Sequence, residues 1–409
     1  MRVLIVSQYF WPENFRINDL AVGLVERGHE VTVLTGIPNY PEGRFFTGYG
    51  LFKRTREEYQ GVRIRRVALV PRGNGSGIQL VLNYLSFALS AIVLSPFRCR
   101  GQFDLILVYE VSPVTVGLPA LFLKRLKHVP ILFWVLDLWP ESLSATGAVR
   151  SARVLSQLDK LVRFIYWRCD KIVVASKGFL PSITAKGIAV ERTGYFPNWY
   201  EPEYRTQPAD DHVTTSWGLP AGFRVMFAGN IGVAQDFGTI LSAAEMLKPY
   251  PDIFWVIVGD GRRYEWVKEQ VQLRGLGERV LLLGRHPPEA MFGYFSQADT
   301  MLVTLKRDPA FALTVPGKIQ SYMACGRPIV AALDGEGGRL IEESGAGLAS
   351  PAEDPEALAE SVLTMYRMPK QEREAMGSHG REYCETHFGR EMLLDRLNGW
   401  MRELMPKTQ

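Results

Sequence analysis

Short apolar runs recur along this chain at the spacing of a repeated strand–helix unit, and they do so in two separate series. RVLIVS opens the first; an amphipathic stretch over 17–27 ends at Gly28, and EVTVLT follows. VRIRRVALV, FDLILVYE, PILFWVLD and KIVVAS continue it, with helical periodicity over 114–126 and 154–167. Apolar runs of this length alternating with amphipathic helices predict a parallel sheet buried on both faces. FRVMFAG, IFWVIVGDG, RVLLLG, TMLVTL and RPIVAA form the second series. The expected fold class is α/β, with two Rossmann-like doubly wound domains in tandem. Residues 1–198 form the first domain and 223–388 the second. A linker is expected over 199–222, where Pro202, Pro208 and Pro220 interrupt a polar stretch. Residues 389–409 form a last amphipathic helix, expected to pack back toward the first domain.

Charge divides the chain more sharply than its sum suggests. Residues 1–200 carry 25 Lys+Arg against 14 Asp+Glu, and residues 201–409 carry 22 against 29. A basic first half suits an anionic partner, whether nucleic acid, a membrane surface or a phosphorylated lipid. No nucleic-acid-reading module is present, so nucleic acid is set aside. The stretch 78–97 has no charged residue, and Gln79, Asn83, Ser86 and Ser90 form a narrow polar stripe along it. It reads as a core helix or as one seated on a membrane, and the arginines and lysines around it favour peripheral attachment to an anionic surface. The four cysteines are far apart with no CxxC pair, which argues against a zinc site and suits a reducing cytosol. Arg2 leads straight into a strand-like run, so no signal peptide is expected at this start.

The candidate chemistry concentrates in LVTLKRDPAFALTVPGKIQSYMACGRPIVA, residues 302–331. Pro316 and Gly317 stand where a helix can begin, and Gly326 with Pro328 ends it, giving an expected helix over 316–325. Lys318 then falls in the first turn, where a cation is unfavourable unless an anion is bound. Lys306, after the preceding strand, would approach the same point; the alternative is that Lys318 simply points into water. No GxSxG elbow, HExxH, Walker A or DxD pair occurs. In VGDGRRY, Gly259, Asp260 and Gly261 follow a strand, but Tyr264 occupies the third-glycine position of a dinucleotide fingerprint, so NAD is disfavoured. These glycines fit either a plain turn or close approach of backbone N–H groups to a ligand. Asp137, at the end of ILFWVL, faces a ligand edge or caps the next helix.

RGHEVTVLT, VGDG with a later LLLGR, ADTMLV and MACGRPIVA resemble a family 4 glycosyltransferase of GT-B fold, in which two Rossmann-like domains face each other across a cleft. YFWPENFR, IPNYPEG, LDLWPES, GNIGVAQDF and VPGKIQSYMACGRP resemble its bacterial surface-polysaccharide branch, which includes L-fucosamine transferases and colanic-acid type enzymes. The resemblance implies a retaining, metal-independent transfer from a nucleotide sugar, with no cofactor beyond that co-substrate. It implies donor contacts from Gly229, Asn230, Gln235, Gly259, Asp260, Gly261, Arg285, Pro316, Gly317, Lys318 and Ser321. Catalytic roles fall to Asp137, Lys306 and Lys318, and acceptor contacts to Glu13, Asn14, Arg16, Tyr40, Glu42 and Arg44. Commoner members have an arginine and a lysine where Asn230 and Gln235 stand, and glutamates where Leu313 and Ser321 stand. The departures shift the burden of charge onto Lys306 and Lys318, and Leu313 suits a sugar with an apolar edge. The expected reaction moves an N-acetylated 6-deoxyhexose such as FucNAc from UDP to an undecaprenyl-diphosphate-linked saccharide, for O-antigen or capsule. Its expected place is the cytoplasmic face of the inner membrane, held peripherally. A nucleotide-sugar epimerase or hydrolase, or a non-catalytic binding subunit, are the competing readings.

Overall fold

The computed structural model describes residues 1–200 and 218–405, so residues 201–217 of the expected linker lie outside the described residues. Two compact units emerge, one of Met1–Pro197 with Glu391–Gln409, the other of Asn198–Arg390.

The first unit holds an eight-stranded sheet of order β3-β4-β2-β1-β5-β6-β7-β8. Its strands are β1 Arg2–Val6, β2 Glu30–Gly36, β3 Arg56–Tyr59, β4 Val62–Val67, β5 Leu105–Glu110, β6 Ile131–Val135, β7 Lys171–Val174 and β8 Thr193–Tyr195. All neighbours are parallel except β3 and β4. That hairpin was hidden from hydrophobic patterning because β3 reads REEY. Its signal is the two-residue turn Gln60-Gly61, both at positive φ, which matches the twist of a tight hairpin. Strands β1, β5 and β6 are buried almost end to end, as apolar runs covered on both faces must be. The chain runs from β1 leftward to β2 and β4, then crosses to β5 on the other side. The crevice between the β1 and β5 carboxyl ends is therefore the switch point at which such sheets take ligands.

Helices α1 Arg16–Glu26, α2 Gly77–Arg98 and α3 Gly117–Lys127 flank this sheet. The last helix, Arg390–Glu403, seals the unit: Arg27 reaches Glu391 at 2.7 Å and Asp395 at 2.9 Å, and Trp400 meets Phe196 edge to face.

The second unit has six parallel strands, β9 Phe223–Ala228, β10 Ile253–Val258, β11 Val280–Gly284, β12 Thr300–Thr304, β13 Ile329–Ala332 and β14 Gly347–Ser350. Their order is β11-β10-β9-β12-β13-β14, which puts a second switch point between β9 and β12. Val225, Phe227, Trp255, Ile257, Leu302 and Val330 form its buried centre.

Candidate functional site

At the second switch point the loop after β9 runs Gly229 to Asp236, and the loop after β12 begins at Leu305. Backbone bonds tie the two together, with Lys306 N–H donating to the Ala234 carbonyl at 2.9 Å. The Thr304 hydroxyl donates to the carbonyl of Gln235. Gln235 also accepts from Gly232 N–H at 3.1 Å, so its carboxamide oxygen shapes the loop. Asn230 is exposed beside it. These elements bring Gly229, Asn230, Gln235 and Lys306 to one sheet edge.

Lys318 lies beneath that edge. Tyr322 fixes its helix, donating to the Ala228 carbonyl at 3.1 Å and accepting from Ala228 N–H at 3.0 Å. The helix spans Lys318–Ala324, starting two residues after the expected Pro316. Pro316 and Gly317 form its lead-in, and Ile319 N–H is already bonded to Pro316 O at 3.0 Å. The burden therefore falls on the ammonium more than on helix amides. Although the residue as a whole is half-buried, Nζ is sealed and has no hydrogen-bond partner. It sits 3.7 Å from the centre of the Phe227 ring, and a Cβ at Gly229 would lie 3.4 Å from it. Burial pushes its pKa down to about 7. An unpartnered cation in such a place is costly, and its cost is relieved when an anion arrives.

Gly259 and Gly261 require a correction. Their N–H groups are committed, to Gly284 O at 2.8 Å and to Asp260 Oδ1 at 2.7 Å. What demands glycine is the neighbouring loop: a Cβ on Gly259 would fall 1.9 Å from Gly229 O, and one on Gly261 2.4 Å from Ile231 O. They let the β10 loop lie backbone-to-backbone on the β9 loop, and so set the shape of the edge indirectly. Asp260 and Arg285 are exposed there, and Ser321 is one turn beyond Lys318 on the same helix.

In the first unit, Glu13 is a loop clamp. Its Oε1 accepts from Asn39 N–H and Tyr40 N–H, both at 2.8 Å, and burial raises its pKa to about 7 against those bonds. Its carboxylate is thus spent on positioning the loop after β2. Glu13→Ala, which strands two buried amides, is expected to cost about 2–3 kcal/mol in chemical denaturation, and Glu13→Gln far less. Asn14 is exposed, Arg16 opens α1, and Glu42 pairs with Arg44 at 2.9 Å in solvent. The clamp aims Tyr40 into an aromatic group: Tyr9 stacks on Phe15 at 4.9 Å, and Tyr40 meets Phe15 at 5.3 Å. Arg72 lies within 6 Å of the Tyr9, Tyr40 and Tyr84 rings and hydrogen-bonds the Tyr9 hydroxyl. Among the described residues no carboxylate pairs with Arg72. Sequence reading missed the grouping of Arg72, Tyr9 and Tyr84 because two loops and a helix far apart in the chain carry them; only the loop lengths hinted at a site.

Across the switch point, Asp137 accepts from Trp139 Nε1 at 3.0 Å, and burial raises its pKa against that bond. Beside it is Glu110, the last residue of β5, fully buried and with neither carboxyl oxygen hydrogen-bonded in good geometry. Burial, then the charge of Asp137, push Glu110 well up, while the Asp137 and Ser112 N–H groups pull the other way. Burial thus drives Glu110 toward its neutral form next to Asp137. The acid closing LILVYE was its available signal. Glu141 is engaged elsewhere, by Lys186 at 2.6 Å. Among the described residues no group of three or more His, Cys, Asp or Glu side chains is placed to hold a metal ion.

Comparison with known proteins gives two family matches, a glycosyl transferase 4-like domain over residues 14–199 and glycosyl transferases group 1 over 222–368. The putative colanic acid biosynthesis glycosyl transferase WcaI of Escherichia coli K12 is 26% identical, over 96% of this chain and 98% of its own. The probable glycosyltransferase WbjE of Pseudomonas aeruginosa is 29% identical, over 71% of this chain and 74% of its own. Among solved structures, Anabaena HepE in complex with UDP superimposes with a TM-score of 0.74 at 16% identity, covering 98% of this chain and 100% of that one.

Proposed function

From a chain that belongs to the family 4 glycosyltransferases of GT-B fold, we propose a retaining enzyme that moves a sugar from UDP to a lipid-linked saccharide in surface-polysaccharide synthesis. The observation that carries this reading is the buried, partnerless Lys318 ammonium beneath Gly229 at the second switch point. Its relatives support the rest: HepE binds UDP, and WcaI is assigned to colanic acid synthesis.

The diphosphate rests at the β9/β12 edge, with Lys318 and Lys306 facing it. As the bond from the anomeric carbon to the diphosphate oxygen breaks, negative charge grows on that oxygen. A preorganised ammonium in a dry site stabilises it more than water would. The leaving oxygen takes the acceptor hydroxyl's proton on the same face, which keeps the anomeric configuration. Asp137, in the first unit, is assigned to the acceptor, and the burial that drives Glu110 toward its neutral form limits a second charge beside it. Positive charge comes from the chain's own lysines, so no metal is assigned a role. Leu313 favours a donor with an apolar edge, an N-acetylated 6-deoxyhexose such as FucNAc.

The lipid part of the reading is supported by α2, which keeps an apolar face outward. Asn83, Phe87, Ala88, Ala91 and Ser95 are buried against the unit, whereas Ile78, Val81, Leu82, Leu85, Leu89, Val93 and Phe97 are exposed. By length and composition it could cross a bilayer, yet it packs along α3 and over β2 and β4. Exposed Phe122 and Leu126 on α3 extend the apolar face, and Lys124, Arg125 and Lys127 border it. An apolar strip with basic margins suits the interface of an anionic bilayer, on the cytoplasmic side where nucleotide sugars are made. Leu85→Ser with Leu89→Ser is expected to lower binding to anionic vesicles by about tenfold or more, measured by flotation.

Incubation with radiolabelled UDP-sugars tests the whole. Label moving to product only when undecaprenyl-diphosphate saccharide is present supports transfer. Conversion of donor alone would indicate an epimerase or hydrolase, and binding without turnover a non-catalytic subunit.

A further inference from the structure

The amino-terminal edge of the first sheet, the one opposite the ligand edge, carries a cavity of about 380 Å³ that the transfer reaction does not use. It lies where β1, β2 and β4 begin and α2 ends. Six arginines line it: Arg2, Arg56, Arg63, Arg65, Arg98 and Arg100. Arg2 is neutralised by Asp104 at 2.6 Å and Arg63 by Glu30 at 3.4 Å. Among the described residues no carboxylate forms an ion pair with the other four.

Two features make this more than a solvated basic patch. Arg56 and Arg65 stand directly opposite each other in the β3–β4 ladder, where like charges destabilise the pairing. Burial, and then the charges of Arg56, Arg63 and Arg98, push the pKa of Arg65 down. The carboxyl end of α2 offers only about half a negative charge, which offsets part of one guanidinium and leaves most of the surplus of four unanswered. A concave site with this surplus fits an anion with several acceptor oxygens, gripped by planar forks, and phosphate has that chemistry. Phe97, 60% exposed, lines the same cavity and continues into the outward apolar face of α2.

We infer that this cavity binds the phosphate head group of an anionic phospholipid, whose acyl chains run along the exposed face of α2. The lipid assignment rests on the reading of α2 as the membrane face; the phosphate chemistry rests on the arginines alone. A second anchor at the sheet's far edge would fix the first unit's orientation on the bilayer, with its ligand edge held at a set height.

The test uses the full chain with phosphatidylcholine vesicles, with and without phosphatidylglycerol, and with inorganic pyrophosphate as a soluble probe, added with UDP saturating so that the Lys318 site is filled. Arg65→Ala with Arg98→Ala is expected to weaken binding to phosphatidylglycerol vesicles about thirtyfold. Arg65→Lys with Arg98→Lys keeps the charge but loses the fork, and about a tenfold loss is expected. Thermal unfolding of each variant, followed with a probe in the first unit, checks that both are folded. Lysine variants that bind like the parent would overturn the pocket, reducing it to a diffuse field. Pyrophosphate binding that needs both arginines, with vesicle binding that needs neither, would overturn the lipid assignment in favour of a soluble phosphate ligand. A parent chain that ignores both kinds of vesicle would overturn the membrane reading and the lipid assignment together. Vesicle binding lost in the α2 leucine variants but untouched in both arginine pairs would overturn the pocket alone.

Discussion

Lys318→Met is expected to weaken UDP binding about 100-fold while raising the melting temperature of the same protein. The loss follows from removing the buried ammonium to which the proposed function assigns the diphosphate, a contribution of about 2.7 kcal/mol at that factor. The gain follows from the other half of the same fact. Nζ is buried without a partner, and replacing it with an apolar group of similar length removes a polar burial worth on the order of 1 kcal/mol, or about 2–4 °C. A residue that stabilises the complex and destabilises the free protein marks a binding site, because a merely structural lysine would lose stability on substitution. The pH dependence has a definite sign. Free Lys318 titrates near 7, and a bound diphosphate favours its charged form, raising that value. Affinity is therefore full below pH 7 and falls as pH rises through it, until the pKa of the complex is passed. Calorimetric titration with a UDP-sugar, whose diphosphate does not itself titrate there, reads both the slope and its loss in Lys318→Met.

Asp137→Asn is expected to lower turnover by a factor of about 100 to 10,000 and to leave the affinity for UDP unchanged, since the donor is held in the other unit. Glu110→Gln separates positioning from charge. Burial drives Glu110 toward its neutral form, which an amide closely matches, so this variant should keep turnover within about tenfold, whereas Glu110→Ala leaves a cavity beside Asp137. If Glu110→Gln fell as far as Asp137→Asn, the Glu110 carboxyl would have to ionise or exchange a proton during the reaction. Steady-state rates with a lipid-linked acceptor decide between the two.

How much of this could be read from the chain depended on whether the signal was local. The two sheets announced themselves through continuous apolar runs such as ILFWV and IFWVIV, because a strand covered on both faces has to be apolar throughout. β3 escaped, being charged and held by its turn. Lys318 was legible as a cation out of place in a first turn, but the stated reason was incomplete. The helix begins at Lys318, and the decisive misfit is a sealed Nζ against Phe227, which depends on a strand ninety residues earlier in the sequence. Gly259 and Gly261 fit either a plain turn or a close approach to a ligand by sequence alone, and the close approach they permit in the fold is to Gly229 and Ile231. Glu13 was chosen as a ligand contact and is a clamp, because its partners are amides that no side-chain pattern reveals. The acid closing β5 and the basic residues around α2 were visible, but what Glu110, Arg72 and the arginine cavity do was not, because each takes its meaning from neighbours on other elements.

One measurement bears most directly on the buried ammonium. With lysine labelled at Cε by carbon-13, nuclear magnetic resonance should resolve one side chain titrating near pH 7, absent from Lys318→Met. Saturating UDP should carry that resonance's midpoint above about 9. Lysines that all titrate near 10, unmoved by UDP, would contradict a diphosphate held by Lys318.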